Sequence, residues 1–590
     1  MRRRDFVKNM LPLTVAPFML GGVPLRAMGQ SLMTSSFTCD EVSDRALVII
    51  QLHGGNDGLN TLIPLNHYGT YKNLRPIIGV DNVGVRKYLD LDQTLPSNQQ
   101  IGLHPDLGGI KSLYDDGMVN FVQEVGYPNM NGSHFRGTDI WLTGRDSASM
   151  STQEPSGWWG RYLDHRFPNY PDAFPNPDME DPPGIEFGSH IISLGFHREI
   201  GIPMGITIGN NPSNFASLVS GVGGSLPANF PATEYGEELK YIVDVQRTTN
   251  VYASRLETIY NAGSNTAGVV YPDSYHTSTN NNYSNRLAPQ LKTVARLLSG
   301  GSKTKVFLVR IGGFDTHEDQ AIVNKPSFGG HGALLYHLSE SIKAFQDDLK
   351  GLGLDDRVLT LTISEFGRQV AENGTYGTDH GTTGPMMIVG RGVNGGVTGS
   401  NPDLTNLVHN RLVGQQYDYR NVLATVMMDW FGANYGTLDH VEFYEHSANK
   451  LDLINNNYID DQGNSVDFVA DPACDPTPDL PPPPPTGGGG GSTNLQDAIN
   501  LSLNLYPNPA VDRFEVEVSV EKMIPVQARL FDLSGKLLWQ EGHNLLVGTH
   551  KLQVAVGHLT AGMYIFQLVA TSGGKYQNQI LGSQKVEVRK

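Results

Sequence analysis

The sequence predicts an α/β protein with a mostly parallel sheet flanked by helices, followed by a small C-terminal antiparallel β-sandwich. Three observations lead there. First, the runs ALVIIQL (46–52), KVFLVRI (305–311) and RVLTLTI (357–363) are continuously apolar and rich in β-branched residues, the pattern of strands buried on both faces in a parallel sheet. Second, between the last two runs Leu334, Leu335, Leu338, Ile342, Phe345 and Leu349 recur at helical spacing, so residues 306–363 read as a βαβ unit with a right-handed crossover. Third, beyond residue 494 the pattern becomes period-two alternation in FEVEVSV, QARLFDL, KLLWQE, HKLQVAV, MYIFQLVA and KVEVRK, with Ser534-Gly535-Lys536 as a tight turn.

Taken in order, the chain of 590 residues opens with Arg2-Arg3-Arg4 and a modest apolar run ending near Ala27-Met28-Gly29, the three-part plan of a cleaved export signal over 1–29. The paired arginines with Phe6 and Lys8 resemble a twin-arginine signal, with an ordinary secretory signal as the alternative. No other apolar run approaches the length of a membrane span. The main domain is expected over 30–475, a stiff-then-flexible linker with PPPPP and GGGGG over 476–493, and the sandwich over 494–590. A net charge of −17 argues against a nucleic-acid partner, since nothing basic is clustered beyond the start. Cys39 and Cys474 are the only cysteines, which excludes a Cys-rich metal site; whether they pair is left open.

Within the main domain, 104–117 reads as a short helix and MVNFVQEV (118–125) as a strand. Gly157 opens a helix in which Arg161 is structural, and 168–231 is a Pro-, Asn- and Gly-rich insertion able to wall a site. Residues 234–260 and 285–298 are helical in pattern, and a final helix runs to Trp430.

Chemistry gathers in three polar signatures: Phe314-Asp315-Thr316-His317, Ser364-Glu365-Phe366-Gly367-Arg368 and Gly377-Thr378-Asp379-His380. Asp, Glu and neutral His at strand-end loops offer the oxygen and nitrogen donors that divalent metals take, at the sheet edge where α/β proteins bind ligands. Asp57, after the first strand, is a further acidic candidate or a plain Asn-Asp-Gly turn. His331, at a helix start, is a candidate ligand, while His337 is read as surface. Ser133 is a nucleophile or a helix N-cap.

These motifs in this order, with Gly55-Asn56-Asp57-Gly58 and Ser133-His134-Phe135, resemble the exported bacterial family called domain of unknown function 1501, over roughly residues 45–450. That family is itself similar to the alkaline phosphatase and sulfatase superfamily. The resemblance implies an alkaline-phosphatase-like fold and a metal-dependent hydrolase of phosphate or sulfate esters, acting on a small anionic ester or a sulfated or phosphorylated polymer. The ligands it implies are Asp57, Asp315, His317, Asp379 and His380, to which the positions of His331 and Glu365 add two further candidates, together holding Zn, Mn, Ca or Mg; Ser133 is the nucleophile by elimination more than by match, with Arg136 or Arg368 steadying anionic oxygens. The spacing Asp315-x-His317 departs from that superfamily's Asp followed four residues later by His. A surface binding or scaffolding protein without turnover is the alternative. Leu505-Tyr-Pro-Asn-Pro509, Asp532-Leu-Ser-Gly-Lys536 and Leu559-Thr-Ala-Gly-Met-Tyr564 resemble a type A sorting domain of the type IX secretion system, implying passage to the cell surface or release.

Overall fold

The computed structural model describes residues 38–483 apart from 146–155, 189–191, 200, 213–228, 232, 276–282 and 461, and residues 503–589 apart from 521–523, 533–535, 546–547 and 571–579, with three two-residue strands before residue 38. The rest of the expected export signal, residues 484–493 of the expected linker, and Ser534-Gly535 of the expected turn lie outside the described residues.

Nine strands form the main sheet: β1 (Ala46–His53), β2 (Val119–Gly126), β3 (Gly184–Phe187), β4 (Gly205–Ile208), β5 (Val306–Gly312), β6 (Val358–Ile363), β7 (Gly384–Val389), β8 (Gly396–Thr398) and β9 (Tyr417–Asp418). In space they run β4-β3-β5-β1-β6-β7-β2-β8, with β9 beside β2. β4 through β6 are parallel neighbours, in the register Gly312↔His53 and Ile363↔Gln51, so the ends of β5, β1 and β6 come together. β7 is antiparallel to both β6 and β2, which makes β2 run the same way as β6. The sheet is therefore mixed and mostly parallel, and the third signature stands in the loop between β6 and β7 and not past a parallel strand end. The insertion supplies β3 and β4, which extend the sheet beyond β5.

The helices around it are α1 (Gly58–Thr61), α2 (Gly108–Asp115), α3 (His134–Thr143), α4 (Trp158–Arg166), α5 (Glu234–Ala262), α6 (Ala288–Ser299), α7 (Gly330–Leu352) and α8 (Tyr419–Asp429). Fully buried Val48, Ile49, Ile50, Leu308, Val309, Leu359 and Leu361 confirm strands covered on both faces, with Leu335, Leu338, Ile342 and Phe345 of α7 against them. Packing of α2 and α6 on α7 also buries His337, 2% exposed, contrary to its reading as surface, and burial pushes its pKa down to about 4. Arg161 is buried and donates to the carbonyls of Thr143 and Val441, a structural role.

Cys39 and Cys474 form a disulfide, their Cα atoms 5.2 Å apart across 435 residues of chain. It ties the start of the body to its end. Cys39→Ser should lower stability by about 2–4 kcal/mol, read as a shift in urea midpoint that reductant reproduces in the parent; equal midpoints for parent and variant would deny the disulfide that role.

The C-terminal strands are β10 (Leu503–Tyr506), β11 (Arg513–Val520), β12 (Ile524–Asp532), β13 (Leu537–Leu545), β14 (Gly548–Ala555), β15 (Gly562–Ala570) and β16 (Ile580–Val588). They make two antiparallel sheets, β10-β11-β14 and β13-β12-β15-β16. Alternate residues Phe514, Val516 and Val518 share one core with Ala528, Leu530, Phe566 and Leu568, and the rings of Phe514 and Phe566 meet edge-on at 5.8 Å.

Candidate metal centre

β1 ends at His53 and turns through Gly54, whose φ of +125° suits glycine, and a Cβ there would lie 2.2 Å from the amide nitrogen of Asp315. The loops after β1 and β5 can therefore touch, with the Phe314 amide donating to His53 O at 3.2 Å. Glu365, just past β6, accepts from the Gly54 amide at 2.8 Å and joins the third strand end to the same place. Arg368 then locks the loops together. Its Nε donates to Gly55 O, one terminal nitrogen to Thr378 O, and the other to Gly54 O, Phe314 O and, at 2.6 Å, Asp315 Oδ1.

Around Asp315 stand three histidines: His134 opens α3, His317 lies in the loop after β5, and His380 in the loop between β6 and β7. His134 Nε2 lies 3.3 Å from Asp315 Oδ2, while His317 Nε2 and His380 Nε2 lie 3.1 and 3.2 Å from Oδ1 and 2.9 Å from each other. In every case the other ring nitrogen faces an oxygen acceptor: His134 Nδ1 is 2.8 Å from Glu365 Oε1, His317 Nδ1 2.9 Å from Asp379 Oδ1, and His380 Nδ1 2.8 Å from Gly132 O. A carbonyl or ionised carboxylate only accepts, so each Nδ1 carries a hydrogen, and the neutral form of each ring then offers an Nε2 lone pair. Carboxylate or carbonyl partners of this kind orient metal-bound histidines.

Burial by itself would raise the Asp315 pKa, but the Arg368 guanidinium beside it outweighs burial and holds the carboxyl at about 2. The hydrogen bond from His317, foremost, keeps Asp379 below the usual carboxylate range. Burial lowers the pKa of His380, against the opposing pull of Gly132 O and Asp315. Lone pairs of His317 and His380 facing each other and an ionised carboxylate repel unless a proton or a cation stands between them. Atoms ligating one ion at ~2.0–2.2 Å lie about 3 Å from one another, which is the spacing among His317 Nε2, His380 Nε2 and Asp315 Oδ1 and between His134 Nε2 and Asp315 Oδ2. His134 Nε2 and Glu365 Oε2 are buried without hydrogen-bond partners, and ligand atoms of His134, Asp315 and His380 lie within 4.8 Å of one another. The donor set fits a metal ion.

The loops bring together Asp315, His317, Glu365, Asp379 and His380 from the expected set. Glu365 and Asp379 meet Nδ1 of His134 and of His317 through their own oxygens. Asp57 stands elsewhere: 1% exposed, it is paired with Arg75 at 2.6 Å and caps α1 through the Asn60 amide. His331 is also apart, buried with Nε2 3.0 Å from Asn56 Oδ1 and its pKa pushed down to about 4 by burial. Arg368 has all three nitrogens engaged by loop carbonyls and Asp315, so it clasps loops and does not reach out to a substrate. Ser133 occupies the N-cap position of α3 without a side-chain capping bond and is exposed, between Gly132 and His134, both of which touch the cluster. Arg136 keeps Nε and one terminal nitrogen without a hydrogen-bond partner. His134 is the cluster residue that sequence reasoning did not single out. The signal was present, because MVNFVQEV is a fourth strand running the same way and the helix that follows it opens with that histidine.

Residues 277–440, which include His317, His380 and Asp315, match the family described as protein of unknown function (DUF1501). Asp57 and His134 lie outside the matched residues of DUF1501. Residues 504–581 match a secretion system C-terminal sorting domain, which marks the chain for export to the cell surface or secretion. No helix among the described residues is long and apolar enough to cross a membrane. No curated protein matches the chain. Solved structures with local likeness include a β-glucosidase from Kluyveromyces marxianus (16% identity, 16% of this chain and 15% of that chain, TM-score 0.12) and the CARDB domain of a Pyrococcus furiosus protein in complex with di-metal ions (17%, 16% and 90%, TM-score 0.13). A β-glucuronidase from Parabacteroides merdae is comparable (12%, 15% and 13%, TM-score 0.12). Overlaps this small carry no argument about function.

Proposed function

We propose that the chain is an exported metal-dependent hydrolase of phosphate or sulfate esters, with a divalent cation held by His134, Asp315, His317 and His380. The observation that carries this reading is the set of three imidazoles, each with Nδ1 fixed on an oxygen, whose Nε2 atoms converge on one carboxylate. Three nitrogens and one oxygen favour Zn or Mn over Ca and Mg, which prefer oxygen throughout. A cation there would supply Lewis acidity toward an ester oxygen and make hydroxide available near neutral pH. One carboxylate among the direct ligands leaves a dication with net positive charge, which suits an anionic ester. Glu365 and Asp379 hold their histidines in one tautomer and one orientation. Ser133 is the candidate nucleophile by position, and Arg136, with unpartnered nitrogens, the candidate for an anionic oxygen.

One observation favours a second reading, a surface metal-binding protein without turnover: Arg368, expected to steady anionic oxygens, is engaged by loop carbonyls. Metal analysis of the purified protein, followed by assay on aryl phosphates and aryl sulfates with added Zn or Mn, separates the two. Bound metal with turnover supports the hydrolase. Bound metal without turnover selects the second reading, and a protein that neither holds metal nor cleaves either ester after metal addition excludes both.

A further inference from the structure

Behind the cluster lies a buried polar relay that the direct ligands do not include. Gln320 is 1% exposed and both ends of its amide are engaged: Nε2 donates to Asp57 Oδ2 at 2.5 Å, and Oε1 accepts from Thr316 Oγ1 at 2.9 Å and from Thr378 Oγ1 at 2.8 Å. Thr316 is the residue between Asp315 and His317, and Thr378 immediately precedes Asp379 and His380. Both threonines are buried, 6% and 0% exposed. The backbones repeat the link, since the Thr378 amide donates to Thr316 O at 3.0 Å. Gly377 permits that approach: a Cβ there would meet Thr316 O and His317 O at 2.4 Å. Asp57, the far end of the relay, is fixed by Arg75.

We infer that Gln320 is a positioning residue that clamps the Asp315-Thr316-His317 loop to the Thr378-Asp379-His380 loop, so that ligands from two chain segments keep one spacing. The inference rests on the metal-centre reading for its consequence. It also accounts for the Asp-x-His spacing. With Thr316 turned to Gln320 and its two neighbours turned to the cluster, a single intervening residue places both side chains on the same side. With both hydroxyls in place the carbonyl oxygen of this buried amide has its two donors, and removing one hydroxyl leaves that acceptor short without opening a large cavity.

The test uses the full chain with Thr316→Val, Thr378→Val and the hydroxyl-retaining Thr316→Ser. Co²⁺ is titrated into chelator-treated protein and the visible absorption band followed, while hydrogen exchange is measured in chelator without any metal. Each valine variant should bind Co²⁺ about 10-fold more weakly with an altered band, and Thr316→Ser should restore both. In the metal-free protein, Thr316→Val should also speed exchange in the 376–381 loop, which it does not belong to. The clamp is overturned if Thr316→Val leaves exchange at 376–381 as in the parent, or if Thr316→Ser behaves no better than Thr316→Val. A parent that shows no saturable Co²⁺ band overturns the metal reading alone, and the exchange arm still decides the clamp.

Discussion

Exchange of His134 for alanine is expected to cut zinc or manganese affinity by at least about 100-fold, beyond the ~10–100-fold loss typical of an orienting partner, for which Glu365→Gln provides the comparison. Three features make the effect large and local. His134 brings an Nε2 that no protein group satisfies, and it comes from α3, a segment remote in sequence from the other ligands. Alanine is a good helix former in the first turn, so α3 should persist. The neighbouring Phe135 is 87% exposed, and Phe135→Ala serves as the control that leaves affinity unchanged. Calorimetric titration of chelator-stripped protein reads all three variants. Binding by His134→Ala within about threefold of the parent would mean that the cluster is a hydrogen-bonded histidine group holding a proton and no ion.

The ordering of effects between His134 and Glu365 also bears on what was legible in the sequence. Apolar runs at 46–52, 305–311 and 357–363 do become adjacent parallel strands, because a strand covered on both faces draws apolar, β-branched residues at successive positions. Since their ends coincide, Asp315, Glu365 and the 377–380 loop were placed together by topology alone. The roles of individual carboxylates were not legible. Asp379 and Glu365 differ from Asp315 only in which atoms they meet, and composition does not say whether a carboxylate faces a metal or the back of an imidazole. Strand direction was also hidden at 384–389: Pro385-Met-Met-Ile-Val389 reads the same in a parallel or an antiparallel pairing, and only the partner's register decides.

Asp57 and His331 stand apart from the cluster for a shared reason. An acidic residue after a first strand reads as functional, yet Arg75, only 18 residues on, is close enough in the fold to take it. Asn56 does the same for His331. The pairing partners are arginine and asparagine residues in loops with no periodic pattern, so nothing in the sequence separates a buried ion pair from an open site.

Asp57→Ala should therefore cost about 3–5 kcal/mol of stability, the scale for breaking a buried ion pair, and should do so whether or not metal is present. The Asp57–Arg75 pair is 2.6 Å long between side chains 1% and 0% exposed, and the variant leaves the guanidinium buried with only Asn60, Val370 and Gln369 oxygens for company. Removal of a ligand carboxylate would do the opposite in metal-free protein, since it relieves repulsion among unfilled donors. The pH dependence carries a second mark. Burial tends to raise the Asp57 pKa, but Arg75 overrides it and the folded value falls below the usual one, so its contribution is complete above about pH 4 and is lost as pH drops through the folded pKa. His331 acts earlier. Burial holds it at about 4, so between about 6.5 and 4 the unfolded chain takes a proton that the folded one refuses, and stability declines across that window as pH falls. Urea unfolding in chelator from pH 7 to 3 should show both limbs in the parent, with the lower limb reduced in Asp57→Ala. A variant as stable as the parent in chelator at pH 7 would return Asp57 to the list of ligands.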